Sequence, residues 1–343
     1  MSFTRNTKKI MNPLLNQYLK NKKNIKNLSS KTIFGSDHKI LKQDRLASQN
    51  FKDSQPNKLE GVILDWSGTV TDKYVIAPAI VFVDSFKHFG VDVTMQEARG
   101  PMGIRKDLHI KQMTELESIR EKWHKVHNRY PNDEDVQKMY EYFIPTQLEC
   151  LHKYSKLLPG VASITQDLQR DGLLIGTTTG FSKAMVDILL KSARQQGYNP
   201  DSTIAGDDVI NGTRPCPHMI YKNMDILNIS NPKSIVKVDD TVGGIGEGLS
   251  AGSWTVGVSK WSNYVDVDSF EHEKRLSNSE LERKRLLSRD VLLHSGAHYV
   301  IDDLNQLPEV VADINHRMSK GDTPDVDLRK EDVHPGMIIP PYM

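Results

Sequence analysis

Asp65 closes a short apolar run, Gly61-Val62-Ile63-Leu64, and is followed by Trp66-Ser67-Gly68-Thr69. A carboxylate at a strand end, backed by a Gly-containing turn and a threonine, presents its oxygen beside backbone amides suited to a phosphoryl group. The plainer alternative is an Asp that caps the next helix. Thr179 ends a second apolar run and is followed by Gly180; a hydroxyl there can hydrogen-bond a phosphoryl oxygen. Arg214 lies in the loop Asn211-Gly212-Thr213-Arg214-Pro215, where a guanidinium can neutralise developing charge. Asp239 and Asp240 close a third run and offer oxygen ligands to a hard cation such as Mg²⁺. Each group alone is more often structural than functional. In this order, with three of the four at expected strand ends, they point to phosphoryl transfer.

The elements that must position these groups read as strands alternating with helices. Gly61 to Leu64, Leu173-Leu174-Ile175-Gly176 and Ser234-Ile235-Val236-Lys237-Val238 are apolar runs too short for helices, as expected of buried parallel strands. Thr255-Val256-Gly257-Val258 and His298-Tyr299-Val300-Ile301 follow the pattern more weakly. Helical stretches at 183–196 and 218–227 lie between them. The expectation is an α/β fold with a Rossmann-like parallel-sheet core, whose function sits at the carboxyl ends of its strands. Residues 78–155 break the rhythm with helical patterns at 80–89, 116–127 and 133–153 and no convincing strand. An all-helical insertion between the first two strands reads as a cap over the site. The expected organisation is a basic leader at 1–57, a core at 58–77 and 156–318, a helical cap domain at 78–155 and a disordered tail at 319–343.

Composition narrows the function classes. The chain has 343 residues, 26% charged, with a formal net charge of +1, so nothing global favours nucleic acid or an acidic membrane as a partner. A hydrophobic fraction of 38% and a mean hydropathy of −0.49 describe polar tails diluting an ordinary globular centre. Cys150 and Cys216 are far apart and in no metal-like spacing, which argues against a disulfide framework and for a reducing, intracellular compartment. No apolar stretch approaches the ~20 residues of a membrane helix. The leader carries Arg5, Lys8, Lys9, Lys20, Lys22, Lys23, Lys26 and Lys31 before its first acidic residue, Asp37. It reads either as a disordered basic extension of a cytoplasmic protein or as a mitochondrial transit peptide. His124, His127, His152 and His294 show no ligand spacing, and the charged run 271–289 reads as one or two solvated helices.

The order Asp65, Thr179, Arg214, Asp240 resembles the four-motif core of the haloacid dehalogenase superfamily, over roughly residues 59–310. The usual phosphatase of that superfamily has a second Asp two residues after the nucleophile, as acid and base for the leaving group. Here that position is Ser67, which does not do that work at neutral pH. The segment Arg99-Gly100-Pro101-Met102-Gly103-Ile104-Arg105-Lys106-Asp107-Leu108-His109 resembles the cap segment of the phosphonoacetaldehyde hydrolase family. So do Tyr221-Lys222-Asn223, Ser253-Trp254-Thr255-Val256-Gly257-Val258 and Gly296-Ala297-His298-Tyr299.

The resemblance implies that Lys106 forms a Schiff base with a phosphonate aldehyde, with Met102 and His109 beside it. It implies that Asp65 accepts the phosphoryl group, that Mg²⁺ is the cofactor and that the protein is a homodimer. The metal would be held by Asp65, the Ser67 carbonyl, Asp240 and Asp239. Lys106 must reach its free amine form, through burial or nearby cations, for which Arg105 and His109 are the candidates. Two positions depart from the family pattern. Gly244 stands where a second metal-binding carboxylate is expected, and Phe181 where an aromatic hydroxyl is expected. An ester phosphatase of the same fold and a non-catalytic binding member stay open at this point.

Overall fold

Short apolar runs build the centre of the computed structural model, which describes residues 56–210 and 214–325. Among these, six strands form one parallel sheet in the order β3-β2-β1-β4-β5-β6. They are β1 (Gly61–Leu64), β2 (Leu174–Thr178), β3 (Ser202–Ile204), β4 (Ile235–Asp239), β5 (Trp254–Val258) and β6 (Tyr299–Ile301). Every residue of β1, β4 and β5 is buried, because a parallel sheet is covered on both faces by its crossover helices. The two-residue period sorts β1 between two cores. Val62 and Leu64 pack with Trp66, Leu307 and Val310, whereas Ile63 packs with Ile220, Met224 and Leu227.

In register, Val62 lies opposite Ile175 on one side and Val236 on the other. The carboxyl ends of β2, β1 and β4 are therefore neighbours along one edge. The chain leaves β1 for β2 on one side and later places β4 on the other, so the strand order reverses at β1. Crevices at such switch points are where ligands bind in open α/β sheets. The fold is the Rossmann-like α/β core that the strand grammar leads one to expect.

Between β1 and β2 run α1 (Ile76–His88), α2 (Met95–Arg99), α3 (Lys106–Glu115), α4 (Glu117–His127), α5 (Asp133–Leu151) and α6 (Val161–Arg170). After β2 come α7 (Lys183–Gln195), α8 (His218–Leu227), α9 (Val242–Ala251), α10 (Phe270–Arg275), α11 (Asn278–His294) and α12 (Leu307–Ser319). The insertion has its own apolar seam. Phe82 of α1 stacks on Phe143 of α5 with centroids 4.6 Å apart, and on His109 of α3 at 3.8 Å. Capping boxes start two of its helices, Thr94 with Glu97 and Asn132 with Asp135. Helix α1 starts at Ile76 and runs through Pro78, which sits in the first turn where its missing N–H leaves no bond unmade.

Strand β3 and helix α3 are among the elements that escape the sequence pattern. Strand β3 has only three residues, two of them hydroxylic, too little for a periodic signal. Helix α3 buries Lys106, His109, Ile110, Met113 and Thr114 along one stripe, so polar side chains occupy more than half of its inward face and mask the amphipathic period. The charged run 271–289 falls on α10 and α11, where Ser288 and Arg289 are nonetheless buried. Among the described residues no helix is long and apolar enough to cross a membrane. The leader up to residue 55 and the tail from 326 lie outside the described residues.

Candidate active site

The residue after β1 opens the site. Asp65 is almost fully buried, and its amide donates to the Val238 carbonyl at 3.0 Å. The chain then turns back on itself, with Val70 and Thr71 amides both donating to the Trp66 carbonyl at 2.8 and 2.9 Å. Gly68 makes the turn with φ +84°, and a Cβ there would lie 2.4 Å from Asp240 Oδ2. Conformation and space both demand glycine at that point. Trp66 fastens the loop from below, its indole N–H donating to Thr177 Oγ1 at 3.1 Å.

Beneath Asp65 lies a buried network of charges. Arg214 Nη1 reaches Asp65 Oδ1 at 2.8 Å and Asp239 Oδ2 at 3.3 Å, and its Nε reaches Glu247 Oε2 at 2.9 Å. Nη1 also donates to the Gly103 carbonyl of the insertion at 3.3 Å. Lys237, with no exposed surface, lies 2.8 Å from Asp239 Oδ2. Burial and then the Asp239 charge push the Asp65 carboxyl up to about 6, against the pull of Arg214 and Lys237. Burial also acts to raise Asp239, but Arg214 and Lys237 hold it below the usual carboxylate range. Asp240 is pushed well up, by burial first and then by the charges of Asp65 and Asp239.

The oxygens of Asp65, Asp239 and Asp240 come within 4.8 Å of one another. Asp240 Oδ1 is buried with no hydrogen-bond partner among the described residues, while Oδ2 accepts from the Asn263 amide at 2.8 Å. With Glu247 the cluster sets four carboxylates against the two cations Arg214 and Lys237. A divalent cation on the all-oxygen face would offset that excess, so the residues present fit Mg²⁺. The geometry also accounts for Gly244. A Cβ there would lie 1.9 Å from Asp239 Cγ and Oδ2, so the Asp239 carboxylate already fills the space of a side chain at 244. Thr241 holds it in place, donating to Asp239 Oδ1 from its amide at 3.0 Å and from its hydroxyl at 2.7 Å.

Lys106 enters from the insertion as the first residue of α3. It is buried, with Nζ 4.7 Å from the Phe181 ring centroid and 5.7 Å from that of Phe82. Gly180 makes room for the segment that carries it: a Cβ at 180 would lie 2.4 Å from the Ile104 carbonyl oxygen and 2.8 Å from its carbon. Burial pushes the Lys106 amine down to about 8; the Asp65 charge opposes this and Arg214 adds to it. The positive end of α3 works in the same direction as burial.

Burial is the main cause of the Lys106 shift, and both cations expected to depress it are engaged with other groups. Arg105 turns aside to Asp107, with Nε–Oδ1 at 2.7 Å and Nη2–Oδ2 at 2.8 Å. His109 is itself pushed well below its ordinary value, by burial and then by Lys106. Its Nε2 bonds the Ala98 carbonyl at 2.8 Å, and stacking on Phe82 makes it packing for the wall behind Lys106. Met102 is buried in the main core cluster. The Thr179 hydroxyl accepts from the Phe181 amide at 3.2 Å, and Ser67 is buried two residues beyond Asp65.

Several groups in this arrangement were not singled out as site residues by the sequence. Glu247, Lys237 and Thr178 surround Arg214. Arg99 binds the Tyr74 and Val267 carbonyls at 2.7 and 2.8 Å and Asn263 Oδ1 at 3.1 Å. Through Asn263, a residue of the insertion thus braces Asp240. The dipeptide Asp239-Asp240 offered some signal, since two adjacent carboxylates at a strand end need cations.

Comparison with known proteins gives a consistent family. The haloacid dehalogenase-like hydrolase model matches residues 62–258. A phosphonoacetaldehyde hydrolase from Pseudomonas entomophila is 41% identical over 271 residues, covering 79% of this chain and 98% of that protein. One from Paraburkholderia xenovorans is 38% identical over 266 residues, covering 78% and 99%. The crystal structure of a phosphonoacetaldehyde hydrolase-like protein from Oleispira antarctica superposes with a TM-score of 0.74 at 39% identity, over 78% of this chain and 96% of that one. A β-phosphoglucomutase from Clostridium difficile, at 21% identity and a TM-score of 0.53, shares the fold.

Proposed function

The chain belongs to the phosphonoacetaldehyde hydrolases of the haloacid dehalogenase-like family, and from that premise we propose how its residues divide the work. The reaction is hydrolysis of the carbon–phosphorus bond of phosphonoacetaldehyde to acetaldehyde and phosphate, a step of phosphonate catabolism. A bare carbanion is too poor a leaving group for simple hydrolysis. Lys106 condenses with the aldehyde and places an iminium one carbon from the bond that breaks, so the departing electron pair becomes an enamine. Asp65 attacks phosphorus in line and forms an aspartyl phosphate while Arg214 faces the transferred group. Thr179 and the backbone at Gly180 contact the phosphoryl oxygens. Water then releases phosphate from Asp65; the enamine takes up a proton from solvent at its terminal carbon and returns to the imine, whose hydrolysis frees acetaldehyde and Lys106.

Asp65, Asp240, Asp239 and the Ser67 carbonyl are the residues that would hold Mg²⁺, which when bound supplies positive charge beside the transferred group. The enamine leaves without a proton from the position two residues after Asp65, consistent with Ser67 there. An ester phosphatase would need an acid at that position. The reading carries with it an intracellular homodimer.

The observation that carries the mechanism is the buried amine of Lys106, pushed down to about 8 between two aromatic rings opposite the Asp65 carboxylate. Borohydride reduction in the presence of phosphonoacetaldehyde should fix the two-carbon fragment to Lys106, as read by peptide mass spectrometry. No adduct, or an adduct on another lysine, overturns the mechanism.

A further inference from the structure

Glu247 takes no part in the steps above, yet it is a carboxylate with no exposed surface on the inward side of α9. Burying a carboxylate is costly unless it is paired and hydrogen-bonded, so its partners carry the explanation. Its Oε2 accepts from Arg214 Nε at 2.9 Å and from the Thr178 hydroxyl at 3.0 Å. The Thr178 hydroxyl in turn accepts from Arg214 Nη2 at 2.8 Å, and the Thr178 carbonyl accepts from the same nitrogen at 2.9 Å. The rear and one side of the guanidinium fork are therefore pinned. Only Nη1 is left facing the site, and it meets Asp65 at 2.8 Å and Asp239 at 3.3 Å. A planar fork held this way has a single orientation, and transition-state stabilisation depends on donors that are in place before reaction.

We propose that Glu247, with Thr178, is a positioning residue that fixes the Arg214 guanidinium for the phosphoryl-transfer half of the reaction. The carboxylate has a second function in the network. Lys237 Nζ lies 3.9 Å from the same Oε2, so the Glu247 charge stands between two buried cations and offsets their mutual repulsion. A glutamine keeps an acceptor for Arg214 Nε and loses this charge, which makes Glu247→Gln the discriminating change. The inference rests on the division of labour between Lys106 and Asp65 proposed above, and that division supplies two separable readouts.

Glu247→Gln should lower phosphate release by roughly 10- to 100-fold in kcat, the range expected when the support of a functional group is disturbed. Borohydride trapping at Lys106 should stay near that of the wild-type chain, whereas the melting temperature should fall, because the charge that is lost offsets two buried cations. In an Arg214→Ala background Glu247→Gln should cost nothing more, because the group it holds is gone. Glu247→Gln should also weaken binding of inorganic phosphate, a readout that needs neither turnover nor imine. Thr178→Val removes the other prop and should give the same split, which carries the test should Glu247→Gln fail to fold. Wild-type phosphate release in Glu247→Gln, equal loss of trapping and release, or the full loss repeated in the Arg214→Ala background would each overturn the proposal. Failure of the underlying mechanism shows separately, as a missing Lys106 adduct in the wild-type chain, and phosphate affinity then still decides the role of Glu247.

Discussion

Lys106 and Arg214 are both buried cations at one site, and their surroundings differ in kind. Lys106 stands against the rings of Phe181 and Phe82, on a wall contributed by the insertion and the β2–α7 loop. Arg214 stands on a floor of carboxylates, ion-paired with Asp65, Asp239 and Glu247. Burial alone acts to strip a proton from either group. On the wall it prevails, and the amine falls to about 8. On the floor the charges of Asp239, Asp65 and Glu247 overcome it, and the guanidinium holds its proton more firmly than usual. Similar burial thus yields a group able to become a nucleophile and a group whose charge is permanent. The partners decide which.

Removing the lysine breaks this contrast most directly. Lys106→Met should reduce phosphate release by on the order of 10³-fold or more in a steady-state assay, since no other amine stands in its place. The same variant should be more stable at pH 7, by up to about 3 kcal/mol in denaturant unfolding, because it no longer buries an ammonium. The folded pKa of about 8 lies below the ordinary 10.5, so the cost of the lysine is fully present below about pH 8. It fades as the pH rises toward 10.5, and the gain from methionine should fade with it. A gain that persisted at pH 10.5 would assign the effect to packing instead.

Moving the wall without touching the floor comes next. Gly180→Ala would set a methyl group against the Ile104 carbonyl and displace the segment that ends in Lys106. Trapping by borohydride should fall by roughly 10²-fold, while affinity for inorganic phosphate changes little. Equal loss of both would mean that wall and floor move as one body.

The smallest effect comes from pH. Attack on the aldehyde needs the free amine, so the single-turnover rate of imine formation should rise about tenfold per unit up to about pH 8 and then level. A rate still climbing at pH 9.5 would mean that the wall does not depress the amine.

Much of the floor was legible because its residues fall at strand ends. Asp65, Thr179 and Asp239-Asp240 follow apolar runs, and a parallel sheet brings such ends to one edge. The wall was legible through family likeness, since the spacing of a polar helix start such as Arg105-Lys106-Asp107 says nothing of burial. Two expectations needed correction for the same reason. Arg105 and His109 are near Lys106 in the chain, but one turns to Asp107 and the other packs as a neutral ring. Glu247 drew no notice in the sequence, and neither Lys237 in its strand nor Arg99 in its segment showed what it pairs with, because the partners of a buried charge appear only in the fold.

The sequence by itself determined the alternation of strand and helix, the carboxylates at the strand ends, the serine at 67 and the glycine at 244. These are local facts, set by residue type and by a period of two or 3.6. Tertiary structure alone decided that the Asp239 carboxylate fills the space above Gly244 and that Arg214 is pinned by Glu247 and Thr178. It also decided that Lys106 loses its water against two rings. Charges separated by tens or hundreds of residues along the chain act on one another only once folding has brought them together and excluded water between them.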